Sequence, residues 1–254
     1  VTDETITLST VVPTRIGYTF TGWDTGTTDS FGNPIIFQPS QDITCGGSDT
    51  TLTAMWEMFT WSQIGANIDG EAAGDLFGFR VAMSSDGSRI AVGARNNDGT
   101  TGNETDNRGH VRVFDFNGTN WVQVGTDIDG ENAYDRSGAD IAMSSDGSRV
   151  VIGTHLSDGN GTDSGHVRIF DFDGSDWVQV GTDIDGEAAG DRFGLSVAMS
   201  SDGSRIAVGA PSNPSTSGLL SSDFGHVRIF EWNPTSGAWV QVGVDIDGEA
   251  ENDE

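Results

Sequence analysis

The chain contains no lysine. Its twelve basic side chains are all arginine, against 39 Asp and Glu, and the 254 residues carry a net charge of −27. So little positive charge excludes the electrostatic footprint of a nucleic-acid-binding protein or of a domain that adheres to anionic membranes. The single cysteine, Cys45, excludes an internal disulfide, and no Cys/His cluster has the spacing of a zinc site. No apolar run approaches the length of a membrane span. Val1 is neither an initiator methionine nor the start of a signal peptide, so the sequence reads as a mature or excised piece. The missing lysine has two readings. An all-Arg, carboxylate-rich surface stays hydrated in salty water, where its self-repulsion is screened. Alternatively, six of the arginines are simply copied with a repeat.

Glycine is abundant, at 36 residues, among scattered Val, Ile, Phe and Trp, a composition of strands and tight turns. The segment Trp-x-Gln-x-Gly-x-x-Ile-Asp-Gly-Glu begins at Trp61, Trp121, Trp177 and Trp239. Within each unit the spacing is fixed: Trp61 to Gly78, Trp121 to Gly138 and Trp177 to Gly194 are equal, as are Gly78 to Gly93, Gly138 to Gly153 and Gly194 to Gly209. Length varies only at 94–109, 154–165, 210–225 and near 231–238, so structural units are joined by surface loops. Each unit predicts four short strands. Asp86-Gly87, Asp146-Gly147 and Asp202-Gly203 sit between alternating apolar stretches and predict hairpins with both turn residues at positive φ. The four repeated Trp read as strand and core residues. Both faces of the inner strands are apolar, which predicts stacked four-stranded sheets, the architecture of propeller blades.

Phe193-Gly-Leu-Ser-Val-Ala-Met-Ser-Ser-Asp-Gly-Ser-Arg-Ile-Ala-Val-Gly-Ala-Pro211 resembles an FG-GAP repeat, the blade unit of integrin-α-type β-propellers. Phe77-Gly78 to Gly93-Ala94 keeps the frame, and Ser137-Gly138 to Gly153-Thr154 departs from it. The resemblance covers about 61–254. In that family the turn between the first two strands often carries an Asp- and Asn-rich calcium loop; here Ser-Ser-Asp-Gly-Ser-Arg lacks the ligands. Residues 1–58 differ. Pro13-Thr-Arg-Ile-Gly-Tyr-Thr-Phe20-Thr-Gly22-Trp23, followed by Leu52-Thr-Ala-Met-Trp56, resembles the Listeria–Bacteroides (internalin B-repeat-like) module, which implies a small β-grasp-like spacer or adhesive unit. The expected fold is therefore all-β. Propeller-like blades of four antiparallel strands occupy 59–254, with complete blades at about 77–125, 137–181 and 193–243, and the module occupies 1–58. Three blades are too few for an ordinary closed propeller, so a longer array is expected.

The connector Asp-Ile-Asp-Gly-Glu-x-x-x-Asp is the best candidate for chemistry. It supplies Asp69, Glu71 and Asp75; Asp127, Asp129, Glu131 and Asp135; Asp183, Asp185, Glu187 and Asp191; and Asp245, Asp247, Glu249 and Asp253. Calcium takes six to eight hard oxygens in flexible geometry, and carboxylates two apart before a Gly bend can supply them. The alternative is structural: Asx-type turns, with the carboxylates paired to Arg89, Arg149, Arg205, Arg112, Arg168 and Arg228. His110, His166 and His226 share one repeat position, which speaks for a structural hydrogen bond rather than a metal or catalytic role. No nucleophile elbow, phosphate loop or metalloprotease helix occurs, so no enzyme is expected. The resemblances imply an extracellular, secreted or cell-surface repeat protein. It would be an adhesive stalk or fibre component supported by Ca2+, whose partners are other copies, neighbouring repeats, or a surface glycan or protein. The other reading is a carbohydrate-binding accessory region of a secreted polysaccharide-degrading enzyme, for which Trp232, at a more variable position, is the residue to watch.

Overall fold

A computed structural model describes residues 4–8, 11–29, 31, 33–45, 51–58, 60–99, 105–213 and 225–249. The chain divides into two units, Val1–Gln63 and Ile64–Glu254. Among the described residues the regular elements of both are β-strands, with no α-helix.

In the first unit, β1 (Glu4–Thr7) pairs with β4 (Asp42–Cys45), and β2 (Tyr18–Thr28) lies between β3 (Pro34–Phe37) and β5 (Thr53–Met58). Phe20 meets Trp23 and Trp56 edge-on, with ring centroids 5.2 and 5.7 Å away. All three rings are half-buried, and Leu8 is the buried hydrophobic of this unit among the described residues.

The second unit holds three sheets of one design. The first comprises β6 (Phe77–Met83), β7 (Arg89–Ala94), β8 (His110–Phe116), β9 (Trp121–Gln123) and β10 (Ile128–Asp129). The second comprises β11 (Asp140–Met143), β12 (Arg149–Thr154), β13 (His166–Phe172), β14 (Trp177–Gln179) and β15 (Ile184–Asp185). The third comprises β16 (Ser196–Met199), β17 (Arg205–Ala210), β18 (His226–Asn233), β19 (Ala238–Gln241) and β20 (Ile246–Asp247). All pairings within them are antiparallel. These are propeller-like blades.

Three expectations change. The connectors are not plain loops: Ile-Asp forms a fifth, two-residue strand that shares the edge of the third strand with the Trp strand, as Ile128 opposite Val111 and Asp129 opposite His110. The first connector, Asn67-Ile68-Asp69, forms no strand, because no third strand precedes it within its unit. For the same reason Trp61 is neither strand nor core; it is 99 % exposed, whereas Trp177 is buried. The Asp-Gly turns also differ. Only Gly87, Gly147 and Gly203 have positive φ (72°, 72° and 69°). Gly87 N donates to Ser84 O at 3.0 Å, so a type I turn is followed by a left-handed Gly. Asp86 accepts from Ser84 Oγ, Ser88 N and Ser88 Oγ and thereby locks the turn. The Ser88 amide first, then the Ser84 hydroxyl, hold its carboxyl down at about 2.

The core lies between successive sheets. Val150 and Ile152 of β12 pack against Ala91, Val111 and Val113 of the first sheet. Val151, between them, faces Val197, Ile206 and Val208 of the third. All three β12 residues have no exposed surface. The period of two in a strand thus serves two neighbours at once. Repeated polar links fix the seams. Ser85 N donates to Ser145 O and Ser145 N to Ser201 O, each at 2.8 Å. Trp177 Nε1 reaches Val124 O at 3.1 Å, and Trp239 Nε1 reaches Val180 O at 3.0 Å. Arg149 grips Asp171 with two bonds of 2.6 and 2.7 Å, donates to Gly203 O across the seam at 2.8 Å and lies 5.4 Å from the Trp239 ring centre.

Candidate functional site at the blade seams

The fifth strand explains where the connector carboxylates go. By pairing with the start of the third strand, each connector is brought against the histidine that opens that strand. Glu71 of the preceding connector, His110 and Asp127 of the following one then form a trio with ligand atoms all within 4.8 Å of one another. Glu131, His166 and Asp183 form the second, and Glu187, His226 and Asp245 the third. Each trio therefore joins two consecutive connectors through one strand.

His110 Nδ1 lies 3.8 Å from Glu71 Oε2 and 3.8 Å from Asp127 Oδ2, too far for a hydrogen bond and suited to a shared cation. The three histidines are 1, 2 and 5 % exposed, and among the described residues Nε2 of each has no partner, while Nδ1 of His166 makes the structural hydrogen bond that the repeat position suggests, with Ser157 Oγ at 2.8 Å. The repeat glutamine fixes the aspartate: Gln123, Gln179 and Gln241 donate to Asp127, Asp183 and Asp245 at 2.7, 2.7 and 2.6 Å. Around the second trio opens a cavity of about 520 Å³ lined by Glu131, Asp135, Asp158, His166, Asp183 and Asp185 among others.

The remaining candidates are placed differently. Asp75, Asp135 and Asp191 are buried and close the turn after their connector. Asp75 accepts from Ala72 N, Asp135 from Asn132 N, and Asp191 from the amides of Glu187 and Ala188. Asp69, Asp129 and Asp185 offer main-chain carbonyls to Arg112, Arg168 and Arg228 at 2.7, 2.6 and 3.1 Å. Asp247 pairs with His226 in the ladder, Glu249 is exposed, and Asp253 lies outside the described residues. Arg89, Arg149 and Arg205 do not serve the connectors; they bind Asp115, Asp171 and Glu231 on the third strands. The histidines are the residues that sequence reasoning set aside. Their exact recurrence beside the connector register is the signal that could have found them.

Burial keeps the imidazoles of His110 and His166 neutral. Burial lowers His110, against the opposing pull of Asp127 and Glu71. Burial holds His166 at about 4, with Arg168 adding to the effect and Asp183 opposing it. His155, outside the trios, is also held at about 4, by burial first and then by Arg192, Arg136 and Arg95. Unfolding restores their ordinary value near 6.5, so between pH 6.5 and 4 the unfolded chain binds more protons. The stability that the neutral rings contribute is complete above 6.5 and is lost as pH falls through this window. Burial raises Asp129, Asp135 and Asp185, which opposes the trend at the acid end. Urea melts at pH 7 and 4.5 are expected to show a loss that shrinks in His155→Gln; equal losses in both proteins would contradict it.

Chemically, two carboxylates and an imidazole suit a divalent cation. Carboxylate oxygens match calcium, and the imidazole nitrogen widens the set to zinc or manganese.

No curated protein matches the chain. Among solved structures it is similar to a candidate 6-phosphogluconolactonase from Bacteroides fragilis (17 % identity, TM-score 0.44, covering 67 % of this chain and 39 % of that one). It is also similar to a second such protein from Bacteroides uniformis (17 %, TM-score 0.42, 85 % and 49 %) and to hydrazine synthase from Kuenenia stuttgartiensis (17 %, TM-score 0.41, 66 % and 36 %). The chain spans less than half the length of each, and likenesses this weak say nothing of catalysis. No helix among the described residues is long and apolar enough to cross a membrane. The resemblance of residues 1–58 to the Listeria–Bacteroides module finds no support in these comparisons. Residues 67–114, from the first connector to Phe114 of β8, match the FG-GAP repeat.

Proposed function

We propose that the chain is an extracellular, non-enzymatic repeat protein with an adhesive or structural role. In this reading its blades are held in register by divalent cations, calcium first, at the connector seams. One observation carries this reading: the Glu–His–Asp trio recurs three times, and each copy ties two consecutive connectors together. Two carboxylates meet at one buried ring and repel each other, a repulsion that Arg112 and Arg168 relieve only in part by reaching Glu71 and Glu131 at 3.8 and 3.5 Å. A bound cation would convert that repulsion into a link between neighbouring repeats. The interchangeability of the trios favours a scaffold over an enzyme, and its partners would be further copies or a surface glycan or protein. The carbohydrate-binding reading rests on Trp232, which lines a cavity of about 360 Å³ with Pro234 and Gln241. That indole already packs against Trp239, tilted by 52° with ring centres 5.5 Å apart, which leaves less of it for a sugar.

Thermal melts with calcium, zinc, manganese and chelator test the cation. At a hundredfold excess over Kd, one calcium adds about 2.7 kcal/mol, or roughly 5–10 °C in a chain of this size. Glu131→Gln with Asp183→Asn is expected to remove part of the gain. A midpoint indifferent to every metal would sink the proposal, and a response to zinc or manganese alone would move it from calcium to a nitrogen-accepting ion.

A further inference from the structure

In a chain so rich in carboxylates most arginines pair with one, as Arg80 does with Asp140 at 3.1 Å and Arg149 with Asp171 at 2.6 Å. Arg95, Arg136 and Arg192 do not. Among the described residues their guanidinium groups make no ion pair and no hydrogen bond, and Nε of Arg95 and of Arg136 is buried without a partner. His155 is 8 % exposed, and its Nδ1 is likewise buried and unpartnered.

The fold brings these four together. Arg95 follows the end of β7, and Arg136 precedes Ser137-Gly138. A Cβ placed on Gly93 would strike Gly138 O, so both arginines flank one close approach between blades. His155 and Arg192 hold the same two places around Gly153 and Gly194 at the next seam. Thr154 Oγ1 lies 3.4 Å from Ser137 Oγ, which joins the two seams and sets His155 beside Arg136. The charges sense each other: after burial, Arg136 and Arg80 lower the proton affinity of Arg95, and Arg192, Arg136 and Arg95 lower that of His155. Two carboxylates are near. Asp163 opposes the effect on His155, and Asp140 already accepts from Arg80 and from Val197 N.

The arrangement is unfavourable without a ligand, because three like charges gather and none of them is paired with a carboxylate among the described residues. It is also ordered. The Arg95 guanidinium carbon sits 3.8 Å from the centre of the Phe79 ring, which holds its fork in place. Arg136 and Arg192 occupy the left-handed region (φ 56° and 55°), as Leu76 does at the equivalent position, so the repeat backbone aims whatever side chain stands there. Unpaired guanidinium groups gathered beside a buried neutral imidazole match an ion with oxygens in several directions.

We infer that Arg95, Arg136, Arg192 and His155 form a binding site for a tetrahedral oxyanion, a sulfate or phosphate group carried as the free ion or as an ester. The site shares no residue with the Glu–His–Asp trios and stands apart from the cation proposal. Titration calorimetry at neutral pH and constant ionic strength tests it with sodium sulfate, sodium phosphate and, as blank, sodium chloride. Saturable binding of sulfate or phosphate is expected, weakened more than about tenfold in Arg136→Gln, since a charge-assisted hydrogen bond exceeds the 1.4 kcal/mol that tenfold represents. Arg192→Gln changes an exposed side chain, so its weaker binding would not be a folding defect. Dextran sulfate against neutral dextran separates the sources: binding of the polymer alone assigns the site to an ester, and binding of the simple ion as well assigns it to the group itself. The inference is overturned if neither form of oxyanion binds above the chloride blank, or if both arginine variants bind as the parent does.

Discussion

Gly153→Ala is expected to cost about 3 kcal/mol or more, while Gly209→Ala, at the same repeat position one blade later, is expected to cost nothing. The first added methyl would lie well under 3.0 Å from the Gly194 carbonyl oxygen, with that carbonyl's carbon also close. Both are backbone atoms, and they cannot swing aside as a long side chain would. Neither glycine has positive φ, so the contrast isolates close approach from conformational freedom. Overpacking of a well-filled interior usually costs 1–3 kcal/mol, and a fixed backbone puts this case at the upper end or beyond. At Gly209 the new methyl meets only Ser196, at 3.6 Å, an ordinary contact. There alanine gains about 0.4–1 kcal/mol by restricting the unfolded chain. Denaturant melts of the two variants side by side decide the matter. Similar midpoints would mean that the blades are not packed through their glycines.

Phe193→Ala is the second large effect. Phe193 has no exposed surface and meets Phe230 edge-on at 6.2 Å, with the Arg228 guanidinium 5.0 Å from its ring centre. Phe77 repeats the contact with Phe114 at 6.3 Å. Removing a buried phenyl typically costs 3–5 kcal/mol, because the cavity collapses only in part. At roughly 2–4 °C per kcal/mol for a chain of this length, the midpoint falls by about 10 °C. Ser137 holds the equivalent place one blade earlier, also fully buried, with Thr154 opposite in place of alanine. The seam between the first two blades is thus polar where its neighbour is aromatic. A loss below about 1 kcal/mol in Phe193→Ala, small for a truncated core aromatic, would show that the second seam closes as readily as the first.

The repeat frame was readable because each seam imposes its spacing on the chain. Gly93 against Gly138 and Gly153 against Gly194 fix the intervals, and Val-x-Val alternation marks strands buried on both faces. What escaped reading depends on contacts between copies. Nothing local in Ile-Asp announces a strand; Ile128-Asp129 becomes one only because β9 is short and leaves half of β8's edge free. The turn type was missed because Asp86 is held by two serines, which favours a type I turn over its mirror image. Repetition itself hid the histidines: a copied His reads as structural until the connectors are seen to close on it. Arg95 and His155 lie where the copies diverge, so no pattern pointed to Arg136 and Arg192 as their neighbours. Trp61 misled for the opposite reason, since a shared motif has a different fate outside the blades: it lies at the end of the first unit and is exposed.

The strand β12 has a dynamic consequence. Its side chains alternate between two neighbours, so the second sheet cannot part from either without wetting a row of valine and isoleucine. The first and third sheets each share a single seam with it. Coupling runs between nearest neighbours, as in a one-dimensional lattice, and opening starts from the flanks. Amide protons along Val150–Gly153 and Val167–Ile169 are then the last to exchange with solvent, and the blade with the least distinctive FG motif is the one that holds the others.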